Sequence, residues 1–126
     1  MRKLNIISTS LLKLFHGTSD INAKKIKSEG LKSPVESARW YMLSSHIEDA
    51  IYHSEKAQGK PVVIEFNIPV EENKRRWEGW PYLWPPSKAG GGSFKGDWYA
   101  LKEELPPKFI KRIIKVTDED LRRVKK

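Results

Sequence analysis

The chain contains no cysteine. That excludes disulfide staples, zinc–thiolate sites and thiol nucleophiles, and it removes any sign of an oxidising compartment. Long apolar runs are missing too: nothing approaches the roughly 20 residues of a membrane-spanning helix. The opening Met1-Arg2-Lys3, followed by Leu4, Ile6, Ile7, Leu11 and Leu12, loosely resembles a secretory leader. Asn5, Ser8-Thr9-Ser10 and Lys13 interrupt it and no small-residue cleavage site follows, so a cytoplasmic protein without membrane attachment is expected. Acidic residues are the scarcer sign, 16 Asp and Glu against 24 Lys and Arg, leaving a formal charge of +8 at pH 7. Such an excess attracts polyanions, a nucleic acid or a dinucleotide. Much of it falls between Lys108 and Lys126, where a solubilising tail explains it equally well; residues 117–126 are read as a basic C-terminal tail beyond the core.

What is present suits a single domain, expected to be monomeric. A length of 126 residues is enough to bury a core without staples. Leu11 to Phe15 reads as a strand ending at Gly17. Asp20 caps a short helix over Ile21 to Glu29, closed by Gly30, with Ile26 facing the core beside Ile21 or Ala23. Leu31 to Ala38 is a loop, and Arg39 to Ser44 a strand. Ser45 and Glu48 form a capping box for a second helix carrying Ile47, Ala50 and Ile51 on one stripe, which Gly59 ends. Val62 to Ile68 is a central strand stopped by Pro69. Residues 71–95 are irregular, with Trp77, Trp80, Trp84 and the triplet Gly90-Gly91-Gly92. Trp98 to Leu101 is a strand, Pro106-Pro107 open a helical turn, Ile113 to Val116 is a last strand, and Thr117 to Asp120 cap a terminal helix. The order implies an α+β fold, with short helices on a mostly antiparallel sheet and a core over about 11–116.

Three segments carry a family likeness. Leu14-Phe15-His16-Gly17-Thr18-Ser19, with Glu29-Gly30-Leu31 after a short helix, resembles the first motif of the ADP-ribosyltransferase superfamily, which includes the poly(ADP-ribose) polymerases and RNA 2′-phosphotransferases. Tyr41-Met42-Leu43-Ser44-Ser45 through Tyr52 is similar to the polymerase-type second block, with its two tyrosines eleven residues apart. Gly96-Asp97-Trp98-Tyr99-Ala100-Leu101 resembles the third, where the family has glutamate and this chain Asp97. The resemblance implies a split antiparallel sheet with NAD in its cleft. It gives His16 the adenosine ribose and the Gly17 backbone the nicotinamide amide. Tyr41 and Tyr52 become ring walls, with Thr18 and Ser44 in the NAD-binding set, and Asp97 stabilises the oxocarbenium-like transition state. The chemistry fits the residue types: aromatic walls suit a flat cationic ring, and a carboxylate suits developing positive charge. Aspartate is one methylene shorter than the family glutamate, and displacements of about 1 Å matter in such sites. NAD is implied as substrate, with no metal. RNA, DNA or a protein is implied as acceptor, approaching past Gly90 to Gly92 and Trp98.

A second likeness competes inside the superfamily. Gln58-Gly59-Lys60-Pro61-Val62-Val63-Ile64-Glu65, and Gly96 and Trp98 with Glu104-Leu105-Pro106-Pro107, resemble RNA 2′-phosphotransferases. That chemistry makes Arg39 the holder of a 2′-phosphate. The family's arginines before the Gly-Lys-Pro segment are replaced here by Glu55, Lys56, Ala57 and Gln58, and its N-terminal helical lobe is missing. A third reading is a non-catalytic NAD- or nucleic-acid-binding module. Plain alternatives stand beside each residue. His16 can be a packed histidine, Tyr41 and Tyr52 core aromatics, and Asp97 a turn residue. Glu65 is expected to point to solvent or pair with a lysine. His46 and His53, seven apart on one helix, lack a third metal ligand. The glycine triplet lacks the strand-loop-helix context of a phosphate loop. Two of the four tryptophans Trp77, Trp80, Trp84 and Trp98 are expected to pack, and the rest to be free to stack on bases.

Overall fold

The computed structural model describes residues 9–32, 42–56, 59–71, 87–88, 97–101 and 104–124. In these residues the strands are β1 (Thr9–Ser19), β2 (Met42–Ser44), β3 (Pro61–Glu71), β4 (Ser87–Lys88), β5 (Asp97–Ala100) and β6 (Ile110–Lys115). They make one sheet in the order β4-β5-β2-β1-β3-β6, with every neighbouring pair antiparallel. The helices are α1 (Asp20–Glu29), α2 (Ile47–Ser54) and α3 (Asp118–Val124). The architecture is therefore α+β with short helices on an antiparallel sheet.

Strand alternation assigns the two faces. Leu14 and Ile64 share a core with Ala23 and Ile26 of α1, and with Leu43, Phe66, Tyr99 and Leu105. Phe15 and Val63, one residue away on the same strands, pack instead with Ala50 of α2, and Ile47, Ile51 and Ile114 gather around them. Consecutive strand residues point to opposite faces, so α1 covers one side of the sheet and α2 the other. α3 lies against α2. α3 is the terminal helix expected after Thr117, and it lies within the segment also expected as a basic tail.

The sheet has two unequal halves. β1 and β3 stay in register over eleven residue pairs, from Thr9↔Glu71 to Ser19↔Pro61, and β6 extends this half. β2, β5 and β4 form the other half through pairings of three residues or fewer. A single pair, Phe15↔Ser44, joins them. β1 therefore runs on from His16 to Ser19 with β3 as its registered neighbour among the described residues. The seam opens where the first and second sequence segments meet.

Several boundaries differ from the sequence expectation, each for a local reason. β1 continues past Gly17 to Ser19 because β3 pairs with it throughout. Ser19, not Asp20, caps α1: its hydroxyl accepts from the Asn22 amide at 3.2 Å. Asp20 instead clamps the helix start to β3, its carboxylate accepting from the Lys60 amide at 3.2 Å while its own amide donates to the Lys60 carbonyl at 2.8 Å. Of the two candidates beside Ile26, Ala23 is buried and Ile21 is 70% exposed. Gly30 closes α1 as expected, at φ +86° and against the Leu105 carbonyl, where a Cβ would stand 2.4 Å away. α2 stops at Ser54, whose hydroxyl donates back to the Ile51 carbonyl at 2.6 Å, well before Gly59. β3 runs through Pro69 to Glu71 because β6 reaches only to Phe66. Beyond that point β3 is an edge, where a missing N–H costs no ladder bond. β6 is itself blunted by a bulge at Lys111, opposite the Glu65–Phe66 step of β3, and by the charges of Lys111, Arg112 and Lys115.

Candidate functional site

His16 and Thr18 lie on the α1 face of β1, 8% and 5% exposed. They form the floor of a cavity of about 170 Å³ whose walls come from α1 and the residues after it. Asn22, Lys25 and Glu29 stand along one side of that helix, Ile26 lies deeper, and Leu31 and Lys32 close the end. The Lys32 ammonium sits 3.2 Å from the Glu29 carboxylate. At this size the cavity suits one unit of a ligand, since pockets that enclose a whole drug-sized molecule measure roughly 300–1,000 Å³.

Gly17 faces the other way. A Cβ there would stand 2.0 Å from the Ala50 carbonyl oxygen and 2.8 Å from the Ser54 amide. The glycine therefore lets the α2 backbone rest directly on β1. Its expected service to a ligand was close backbone approach; the approach seen is that of a helix.

The second segment is anchored from inside. Ser44 is fully buried, and its hydroxyl donates to the Asp49 carboxylate at 2.8 Å while accepting from the His46 amide at 3.1 Å. Expected at the ligand, Ser44 is committed within the protein. Asp49, itself 3% exposed, was not singled out by sequence reasoning. Its signal was the five-residue step from Ser44 across a turn into a helix start, where a carboxylate also complements the helix dipole. The expected Ser45–Glu48 capping box does not form: His46 is the N-cap and makes no side-chain cap bond. Ser45 instead accepts from the Asp97 amide at 3.0 Å, and its own amide donates to the Asp97 carbonyl at 3.1 Å. The third segment is thereby tied to the second, across 52 residues of sequence.

Asp97 is half-buried at the start of β5. It shares strand parity with Tyr99, which packs in the α1-side core, and so belongs to the same sheet face as His16. β2 lies between their strands, so the lateral separation is roughly 10 Å from ordinary strand spacing. Trp98 points the other way. It is 4% exposed and packs edge-on against His53, with ring centroids 4.8 Å apart. Tyr52 is half-buried on α2, edge-on to His53, with the Lys56 ammonium 5.1 Å from its ring centre. Its helix thus covers the face opposite His16. Burial, then the Lys56 charge, lowers the pKa of His53 below its usual 6.5, against a smaller opposing pull from Asp49.

Of the two expectations for Glu65, the lysine pair holds and solvent exposure does not. It is buried, with the Lys13 ammonium 3.8 Å away and, closer still, the Arg112 guanidinium Nε at 3.0 Å. The arginine comes from the neighbouring position in the β3–β6 register, which linear sequence does not reveal. Arg39, Tyr41, Trp77, Trp80, Trp84, the triplet Gly90 to Gly92 and Gly96 lie outside the described residues. Among the described residues no group of three or more His, Asp or Glu is placed to hold a metal ion, and no helix is long and apolar enough to cross a membrane. Comparison with protein-family models and with curated proteins finds no match for the chain.

Charge of both signs lies on both faces, with lysine dense on α1 and acid followed by arginine along α3. Lys24, Lys25, Lys27 and Lys32 are exposed on or just after α1. The first turn of α3, on the α2 side, is acidic with Asp118, Glu119 and Asp120.

Proposed function

We propose that the chain is an ADP-ribosyltransferase that cleaves the nicotinamide–ribose bond of NAD and passes ADP-ribose to an acceptor, on the split sheet of that superfamily. One observation carries the reading. Three segments far apart in sequence, those of His16, Ser44-Ser45 and Asp97, occupy adjacent strands β1, β2 and β5 at the seam where the sheet opens. In this reading His16 and Thr18 hold the adenosine ribose in the cavity beside α1. Tyr41 walls the nicotinamide, whereas Tyr52, on the helix that covers the opposite face, has no part in this reading. Asp97, on the His16 face, lies at a distance that an extended dinucleotide spans. Its carboxylate stabilises positive charge on the ribose as nicotinamide leaves. Ser45 is a positioning residue that holds Asp97 against β2. Arg39 belongs to acceptor binding, and the lysines around α1 favour a nucleic acid as that acceptor over a protein.

The test is nicotinamide release from NAD by the purified chain, alone and with RNA or DNA. Asp97→Ala is expected to lower the rate about 100- to 1,000-fold, the usual loss when a transition-state charge partner is removed. Asp97→Glu should keep most of the activity. Dependence on Arg39 and a 2′-phosphorylated RNA, with indifference to Asp97, would move the assignment to 2′-phosphate transfer. No release under any condition overturns both chemistries and leaves a binding module.

A further inference from the structure

The cavity between β1 and α1 has a composition that an unphosphorylated ribose does not need. Its floor is polar and nearly dry, formed by His16 and Thr18. Ile26 and Leu31 supply an apolar wall, suited to the flank of a sugar. Two lysines and one glutamate stand at its rim. Lys32 is neutralised by Glu29 at 3.2 Å. Lys25 has no carboxylate partner among the described residues. It stands three residues after Asn22 and four before Glu29, so all three line the cavity from one side of the helix. Among the described residues the rim therefore carries one uncompensated positive charge beside a hydrogen-bonding floor. A neutral hydroxyl does not call for that charge, whereas a phosphate monoester does, through charge-assisted hydrogen bonds to an ammonium.

We propose that this cavity binds a ribose bearing a phosphate monoester, with Lys25 as the residue that recognises the phosphate and Asn22 its neutral hydrogen-bonding neighbour. The assignment deepens the reading given above and rests on it in one respect: if His16 holds the adenosine ribose, the preferred substrate is the dinucleotide phosphorylated at the 2′ position of that ribose. The specificity then comes from the α1 side wall, away from the nicotinamide and from Asp97. A lone ammonium on an exposed rim gives discrimination of about tenfold, not thousands, because water screens it.

The experiment measures binding without turnover, so it does not depend on catalysis. The full chain is titrated calorimetrically with adenosine 2′,5′-bisphosphate and with 5′-ADP. The bisphosphate should bind about tenfold tighter, a difference near 1.4 kcal/mol. Lys25→Gln should bring the two ligands to within about twofold of each other, with thermal stability unchanged because Lys25 is exposed. Lys27→Gln, on the same helix but outside the cavity lining, should leave the preference intact. Equal binding of the two ligands by the native chain overturns the proposal, and so does a preference that survives Lys25→Gln. Tighter, Lys25-dependent binding of a short 2′-phosphorylated RNA than of the bisphosphate overturns the dinucleotide assignment. The two readings fail separately. Nicotinamide release without a 2′-phosphate preference sinks only this proposal, and the preference without release sinks only the transferase.

Discussion

The two halves of the sheet are held together by different means. β1, β3 and β6 form a ladder whose longest pairing covers eleven residues. The ladder is packed on one face by α1 and on the other by α2. β2, β5 and β4 have short ladders, and side chains take over: Ser45 holds the Asp97 amide, Ser44 holds Asp49, and Trp98 leans on His53. Stability in proteins is locally uneven, and elements with few backbone pairings open first. The proposed chemistry uses both kinds of support. His16 stands on the ladder half, whereas Asp97 stands on the half that local opening reaches more easily. Such a division lets the binding floor stay fixed while the charge partner adjusts.

The largest effect expected is from Gly17→Val, which attacks the ladder half where α2 rests on it. With a Cβ only 2.0 Å from the Ala50 carbonyl, α2 must lift off β1. Overpacking of this kind costs about 3 kcal/mol or more. Urea unfolding should show the loss across the whole molecule in one transition. A midpoint that barely moves would mean that α2 is not seated on β1 as described.

Ser45→Ala is the matching change in the other half. It removes one partly buried hydrogen bond to the Asp97 amide and should cost about 1 kcal/mol. Its signature is location. Amide exchange should quicken from Asp97 to Ala100 and stay unchanged from Leu12 to Thr18. Equal acceleration in β1 would show that the halves open as one unit and would dissolve the distinction.

The ladder half was legible in the sequence. Val62 to Ile68 reads as a central strand because β-branched and aromatic residues run on with few breakers, and over Val62 to Phe66 it is interior, with β1 on one side and β6 on the other. The apolar stripe of Ile47, Ala50 and Ile51 is likewise where α2 meets the sheet. The thin half was not. Nothing local tells that Ser45 will serve Asp97 instead of its own helix, because the competing donor, the Asp97 amide, comes from 52 residues away. A capping-box pattern is a short-range signal, and a long-range partner displaced it. Gly17 shows the same limit from the other side. The His-Gly-Thr string marks the position, but only the tertiary packing reveals that a helix backbone fills the space the missing Cβ leaves. Nothing in the sequence singles out Asn22, Lys25 and Glu29, because only the packing of α1 on β1 makes their shared side of the helix a cavity wall.

His53 offers a pH probe of the thin half, since it packs on Trp98 of β5. Its folded pKa lies below the usual 6.5, chiefly through burial and then through Lys56. The unfolded chain therefore binds more protons in the window below that value. The stability contributed by neutral His53 is present above pH 6.5 and is lost as pH falls through the folded pKa. Thermal midpoints of the native chain should decline on acidification through this window. His53→Gln should flatten that slope, at some cost to the Trp98 contact. A slope that persists undiminished would assign the proton uptake elsewhere.

The smallest effect concerns α3, which packs against α2. Thr117 and Asp120 cap each other: the Asp120 carboxylate accepts from the Thr117 amide at 3.0 Å, and the Thr117 hydroxyl accepts from the Asp120 amide at 3.1 Å. The backbone hydrogen bond, then the Thr117 hydroxyl and the Arg123 charge, hold the Asp120 pKa below its usual 3.8. The sign follows: the cap is fully present above pH 3.8 and is lost as pH falls through the lower folded value. Amide shifts of Leu121 to Val124 should move toward coil over that range, while β1 and β3 shifts stay in place. Asp120→Asn should reproduce the frayed helix at neutral pH, because it removes the charge and weakens the acceptor. If the β1 and β3 shifts moved with those of α3, the terminal helix would be a structural part of the ladder half, and the line between core and periphery would have to be drawn beyond it.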